Sequence, residues 1–98
     1  MWTGSMSDSL PSPEWLVYII RCGDGTLYTG ITKDVEKRLE EHRSGRGSKY
    51  LRGRGPLEVV FTAQCGTREL ALQLEYRIKQ LPRREKINLI DGSAPLPG

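Results

Sequence analysis

Histidine, phenylalanine and cysteine are nearly missing from this 98-residue chain, which has one His, one Phe and two Cys. Two cysteines make no disulfide framework. Neither Cys22 nor Cys65 lies in a CxxC or His-spaced zinc pattern, so nothing suggests a stapled secreted scaffold or a structural zinc. The expectation is a reduced, cytoplasmic protein. No run approaches the roughly 18 apolar residues of a membrane span. The opening MWTGSMSDSLPSPEW has neither the basic end nor the apolar middle of a signal peptide. Residues 1–13, rich in Ser, Gly and Pro, read as a flexible leader, 14–90 as one folded domain and 91–98 as a loose tail. At this length the chain can bury one modest core and has no room for a second.

Acidic side chains are absent from residues 43–54, where Arg43, Arg46, Lys49, Arg52 and Arg54 accumulate in a chain whose net charge is only +3. A charge run is ordinarily a solvated loop. Here it also holds Gly45, Gly47, Gly53 and Gly55, which would let backbone approach a ligand closely, and Tyr50, a stacking surface. Cations, glycines and an aromatic ring together suit a nucleic-acid backbone.

Strand and helix signals follow from periodicity. Residues 15–20, WLVYII, form a short continuous apolar run that fits a strand covered on both faces. Cys22-Gly-Asp-Gly-Thr is turn chemistry, and 27–31 reads as the returning strand of a hairpin. A two-residue turn would put Tyr18 and Tyr28 on opposite faces, whereas a three-residue loop over 23–25 would put them on one. The local sequence permits either.

Asp34 can cap a helix that carries Val35 and Leu39 on one edge and Arg38 and His42 on another, with Gly45 beyond its end. Leu57, Val59, Phe61, Ala63 and Cys65 alternate with more polar residues, and only Val60 breaks the pattern of a half-exposed strand. Thr67 can cap a second helix with the stripe Leu70, Leu74, Ile78 and Leu81 and with Glu75 at its border. Pro82 ends it and can open a third. The order strand, strand, helix, loop, strand, helix, helix describes an α+β fold, a small, largely antiparallel three-stranded sheet flanked by helices.

Read singly, Tyr18, Tyr28, Arg38, His42 and Glu75 each have an ordinary structural explanation as strand packing, solvated helix face or core border. Their order lifts them above it. Leu16-Val17-Tyr18 and Tyr28-Thr29-Gly30 form two strand motifs about ten residues apart; Arg38 and His42 follow on the next helix and Glu75 on a later one. In this pattern the chain resembles the GIY-YIG nucleases over residues 14–90, and is most similar to their small stand-alone bacterial branch, the YhbQ-like proteins. Leu16 stands where that family has Gly and Thr29 where it has Ile, both read as strand-packing changes. Asn88 is the nearest candidate for an Asn found near the end of the core in many relatives.

The resemblance implies hydrolysis of a DNA phosphodiester bond with one divalent cation, Mg²⁺ or Mn²⁺. Glu75 would be the metal ligand, Arg38 the phosphate clamp, Tyr18 the base and Tyr28 an orienting hydroxyl. His42 would assist proton transfer or bind phosphate. Both tyrosines must then face one cleft, which selects the odd-numbered hairpin loop. Arg43, Arg46, Lys49, Tyr50, Arg52 and Arg54 would bind the nucleic acid. With no recognition helix in view, selectivity should favour nicks, branches or single strands, as in repair or recombination. The alternatives are a non-catalytic nucleic-acid-binding module on the same fold and a protein-interaction domain.

Overall fold

β1, Trp15–Arg21, occupies the centre of the sheet, as its two apolar faces require. In the computed structural model, which describes residues 14–97, three strands run antiparallel in the order β2-β1-β3, with β2 Leu27–Thr32 and β3 Glu58–Gly66 on either side. The leader expected over 1–13 lies outside the described residues.

Three helices complete the α+β architecture: α1 Val35–Arg43, α2 Arg68–Gln80 and α3 Arg83–Asp91. A single 3₁₀ turn, Lys49–Leu51, interrupts the basic loop. None of the helices is long and apolar enough to cross a membrane, among the described residues.

The alternation of β1 divides its side chains between two apolar clusters. Val17 and Ile19 pack with Ala71, Leu74, Ile78 and Leu89 under α2 and α3. Tyr18 and Ile20 pack with Cys22, Leu51 and Leu57, bordered by Val35 and Leu39 of α1. Ile19, Ile20, Leu51, Ile78 and Val17 are the largest fully buried side chains, each stabilising the fold by about 1.5–3 kcal/mol.

The helix starts follow the cap chemistry. Asp34 accepts the Lys37 amide, and Thr67 accepts the Leu70 amide. Pro82 stands at the N-cap of α3, and the left-handed Gly92 closes it. The Ser93 and Ala94 amides then turn back onto the Asn88 carbonyl.

Two details depart from the periodicity argument. Leu70 is half exposed, and the completely buried Ala71 takes its place facing the sheet. A small side chain lets α2 approach β1 closely, a fit that the stripe of leucines does not reveal. Val60 is a β-bulge: Ile19 pairs with Phe61 and Ile20 with Val59, leaving Val60 without a partner. Leu57 and Val59 therefore face the Tyr18 cluster, while Val60, Phe61, Ala63 and Cys65 border the other.

Candidate active site

The hairpin sets the position of the two phenols. The Cys22 amide donates to the Thr26 carbonyl, enclosing a three-residue loop of Gly23, Asp24 and Gly25. Gly25 has a φ of 88°, the left-handed conformation this loop requires. Leu27 then pairs with Arg21 and Tyr28 with Ile20, so Tyr28 and Tyr18 share a face, with ring centroids 6.3 Å apart. The odd-numbered loop is the one observed. Directly opposite Tyr18 stands Gly30, where a Cβ would come within 2.6 Å of the Tyr18 hydroxyl. The glycine of the second motif therefore leaves room for the tyrosine of the first.

α1 delivers two groups from one face to the same place. His42, 3% exposed, lies with Nε2 2.9 Å from the Tyr18 hydroxyl. Its Nδ1 accepts the Ser48 amide at 3.1 Å. Because a backbone N–H can only donate, Nδ1 carries no proton and the neutral ring holds its hydrogen on Nε2. His42 therefore donates to Tyr18. Burial, helped by Arg38 and opposed by Glu41, lowers the His42 pKa and holds the ring neutral near pH 7. A Cβ on Gly47 would collide with the His42 ring, so this glycine makes room for the imidazole rather than for a ligand. Arg38 holds Glu41 at 2.9 Å and lies beside the Tyr18 hydroxyl.

Glu75 approaches from α2. It is mostly buried and pairs with Lys79 Nζ at 3.3 Å. Its charge, like the neighbouring Tyr28, raises the Tyr18 pKa; Arg38 opposes them. Burial is the largest influence, and together these push the Tyr18 pKa up to about 12, so the free protein keeps this phenol protonated. The chain thus gathers Tyr18, Tyr28, Arg38, His42 and Glu75 around one hydroxyl.

Among the described residues there is no group of three or more His, Cys, Asp or Glu side chains able to cage a metal. A single carboxylate still suits Mg²⁺ or Mn²⁺, hard cations that keep several waters and take other ligands from substrate phosphates. Asn88 lines a separate cavity with Leu81, Arg84, Glu85 and Leu89 rather than this cleft.

The basic loop reaches the same cleft through a stack of rings. Tyr50 stacks on Tyr28 at 5.9 Å, and the Arg54 guanidinium lies 4.3 Å from the Tyr50 ring centroid. Three arginines also tie down the loop. Arg43 donates to the Leu57 carbonyl and Arg52 to the Gly45 carbonyl. Arg54 donates to the Tyr50 carbonyl and pairs with Asp24 at 2.6 Å. Arg46 and Lys49 are exposed and enter no ion pair among the described residues. The Asp24–Arg54 clamp between hairpin and loop escaped the sequence reading, which treated Asp24 as turn chemistry alone. An acid in the turn, 30 positions before the last arginine of the basic run, was its only signal.

An α+β sheet whose two motif tyrosines meet a helical Arg and His and a Glu from a second helix defines a nuclease-type domain. The chain belongs to the GIY-YIG family: residues 14–88 match the GIY-YIG catalytic domain, and the superfamily is one of nucleases. Its relatives are small stand-alone proteins. It is 55% identical over 80 residues to the UPF0213 protein YhbQ of Escherichia coli K12, covering 82% of this chain and 80% of that one. It is 54% identical over 79 residues to a UPF0213 protein of Cronobacter sakazakii, covering 81% and 83%. The solution NMR structure of a UPF0213 protein from Bacillus halodurans matches with a TM-score of 0.53 at 46% identity, covering 80% of this chain and 83% of that one. The solution NMR structure of a protein from E. faecalis matches with a TM-score of 0.60 at 32% identity, covering 86% of this chain and 91% of that one.

Proposed function

We propose that this protein is a divalent-metal-dependent nuclease that hydrolyses DNA phosphodiester bonds, selects for DNA structure rather than sequence, and serves repair or recombination. The observation that carries the reading is the convergence on Tyr18 of His42, Arg38, Tyr28 and Glu75 from three separate elements. A structural core needs no carboxylate and guanidinium beside a buried phenol.

Tyr18 acts as the base in its ionised form: its phenolic proton leaves to solvent, and the phenolate then takes a proton from the water that attacks phosphorus as the leaving oxygen departs. Its oxygen already accepts the His42 N–H and lies beside the Arg38 guanidinium, two interactions that strengthen as a phenolate forms. Arg38 then holds phosphate oxygens and offsets the charge that grows on them. Tyr28, on the same face, orients water or phosphate by hydrogen bonding. His42 keeps Tyr18 in place as a neutral donor, and its own orientation is fixed by Ser48. Glu75 is the residue to hold Mg²⁺ or Mn²⁺, which when bound supplies positive charge for the phosphate and the leaving oxygen. Arg43, Arg46, Lys49, Tyr50, Arg52 and Arg54 bind the DNA beside the cleft.

The test compares nicked, flapped, junction and linear oligonucleotides of equal length, incubated with Mg²⁺, Mn²⁺ or EDTA. Cation-dependent cleavage that favours branched over linear substrates supports the reading. Tight binding of all substrates with no cleavage under any condition would replace it with a non-catalytic module.

A further inference from the structure

The nucleic-acid surface proposed so far lies at the C-terminal end of α1. The opposite end carries a second basic feature. A groove of about 410 Å³ runs between the start of β1 and the flank of α1 from its N-cap to Glu41, with Trp15, Lys33, Lys37 and Arg38 along it. Lys33 Nζ and the Arg68 guanidinium carbon lie 5.7 and 5.8 Å from the Trp15 ring centroid. Lys33, Lys37 and Arg68 are exposed and enter no ion pair among the described residues. The two carboxylates of the groove are already engaged, Asp34 with the Lys37 amide and Glu41 with Arg38. Glu41 feels the Lys37 charge, yet no direct ion pair holds Lys33, Lys37 or Arg68 among the described residues, which leaves their head groups to an anionic partner.

Arg38 borders both this groove and the candidate active site around Tyr18. The nine residues of α1 separate its two ends by about 13 Å at 1.5 Å per residue. At about 3.4 Å per nucleotide, that distance corresponds to roughly four nucleotides of a strand.

We infer that the groove of Trp15, Lys33 and Lys37, with Arg68 at its rim, is a second seat for a nucleic-acid backbone. A bound strand passes along α1, across Arg38, and is held on both sides of the linkage at Tyr18. This rests on the nuclease reading above and extends it from one flank of the cleft to two. The alternative of an acidic polypeptide is disfavoured because Arg38, which lines the groove, also stands beside Tyr18, where the proposed phosphodiester is cleaved.

Binding in EDTA separates the inference from turnover. The full chain carrying Trp2→Phe, which leaves Trp15 as its single tryptophan, is titrated with a single-stranded 20-mer at several salt concentrations. Wild-type surface residues should give a change in Trp15 emission and a steep fall of affinity with salt. Lys33→Gln with Lys37→Gln should lower the slope of log K against log salt by about 1.4, the release expected for two phosphate contacts on a single strand. It should also diminish the emission change. Arg46→Gln with Lys49→Gln, on the other flank, should lower the slope comparably. If the groove variant binds like the parent while the loop variant weakens, the second seat is refuted and the nuclease reading survives. If neither pair alters binding, or the parent does not bind, the nucleic-acid reading itself fails. Saturation of the Trp15 change by a polyglutamate peptide but not by the 20-mer would overturn the inference in favour of a protein partner.

Discussion

His42 shows how much a single side chain depends on its surroundings. It is the one histidine in the chain, so its imidazole gives a single titrating signal by NMR. Burial and Arg38 lower its pKa, and the Ser48 amide opposes a proton on Nδ1. The midpoint should lie below the ordinary 6.5, and a midpoint at or above 6.5 would contradict a buried ring held neutral beside Arg38. The unfolded chain, by contrast, binds this proton from about pH 6.5 downward. His42 therefore contributes stability that is lost as pH falls below that value toward the folded midpoint.

Tyr18 has the opposite sense. Its proton is retained to about pH 12, so its contribution to stability is lost as pH rises from about 10 through 12. A base so weakly ionised makes cleavage faster at higher pH. The single-turnover rate should climb between pH 6.5 and 8.5, and a flat profile would remove Tyr18 as the base. Gly30 guards the same phenol. Gly30→Ala should destabilise the fold by about 1–3 kcal/mol through overpacking and displace Tyr18 from His42, measurable by denaturant unfolding and by the His42 chemical shift. An unchanged midpoint and shift would show that the ring is not held there.

At the scale of elements, much of the architecture was legible because local chemistry and position agree. Asp34 and Thr67 cap where their residue types say they should, and Pro82 separates α2 from α3. Asp34→Ala should cost about 1 kcal/mol in thermal or denaturant unfolding. Because α1 carries both Arg38 and His42, fraying there should reach the cleft, seen as faster amide exchange at Lys37 and Arg38. Protection equal to wild type would separate the cap from the site.

The hairpin loop was decided by the need for two tyrosines on one face, since Gly-Asp-Gly alone allows two registers. The Val60 bulge was visible only as a broken alternation. Its cause, a register shift against Ile19 and Ile20, belongs to the facing strand. Ala71 replaced Leu70 at the sheet because helix packing selects for distance of approach as well as hydrophobicity. The burial of His42 could not be read from α1 either, because Gly47 and Ser48 that enclose it come from the loop beyond.

Across the whole molecule, the site is assembled from parts with no local bond to one another. The sheet contributes two phenols, α1 a guanidinium and an imidazole, and α2 a carboxylate 57 positions after the first phenol. Spacing alone could suggest this grouping through resemblance to a family. The enclosure of Tyr18 by those groups required the folded chain. Charge follows the same division: among the described residues, cations free of ion pairs stand toward both ends of α1, with the reactive groups between them.

The cluster around Tyr18 is proposed to break phosphodiester bonds with a cation held at Glu75. The most direct measurement is nicking of supercoiled plasmid by wild type and Glu75→Gln, purified in parallel and matched for DNA binding and melting temperature. The expected result is cation-dependent nicking by the wild type that falls at least a hundredfold with Glu75→Gln. Equal nicking by both proteins, or none by a folded, DNA-binding wild type with Mg²⁺ or Mn²⁺, would contradict it.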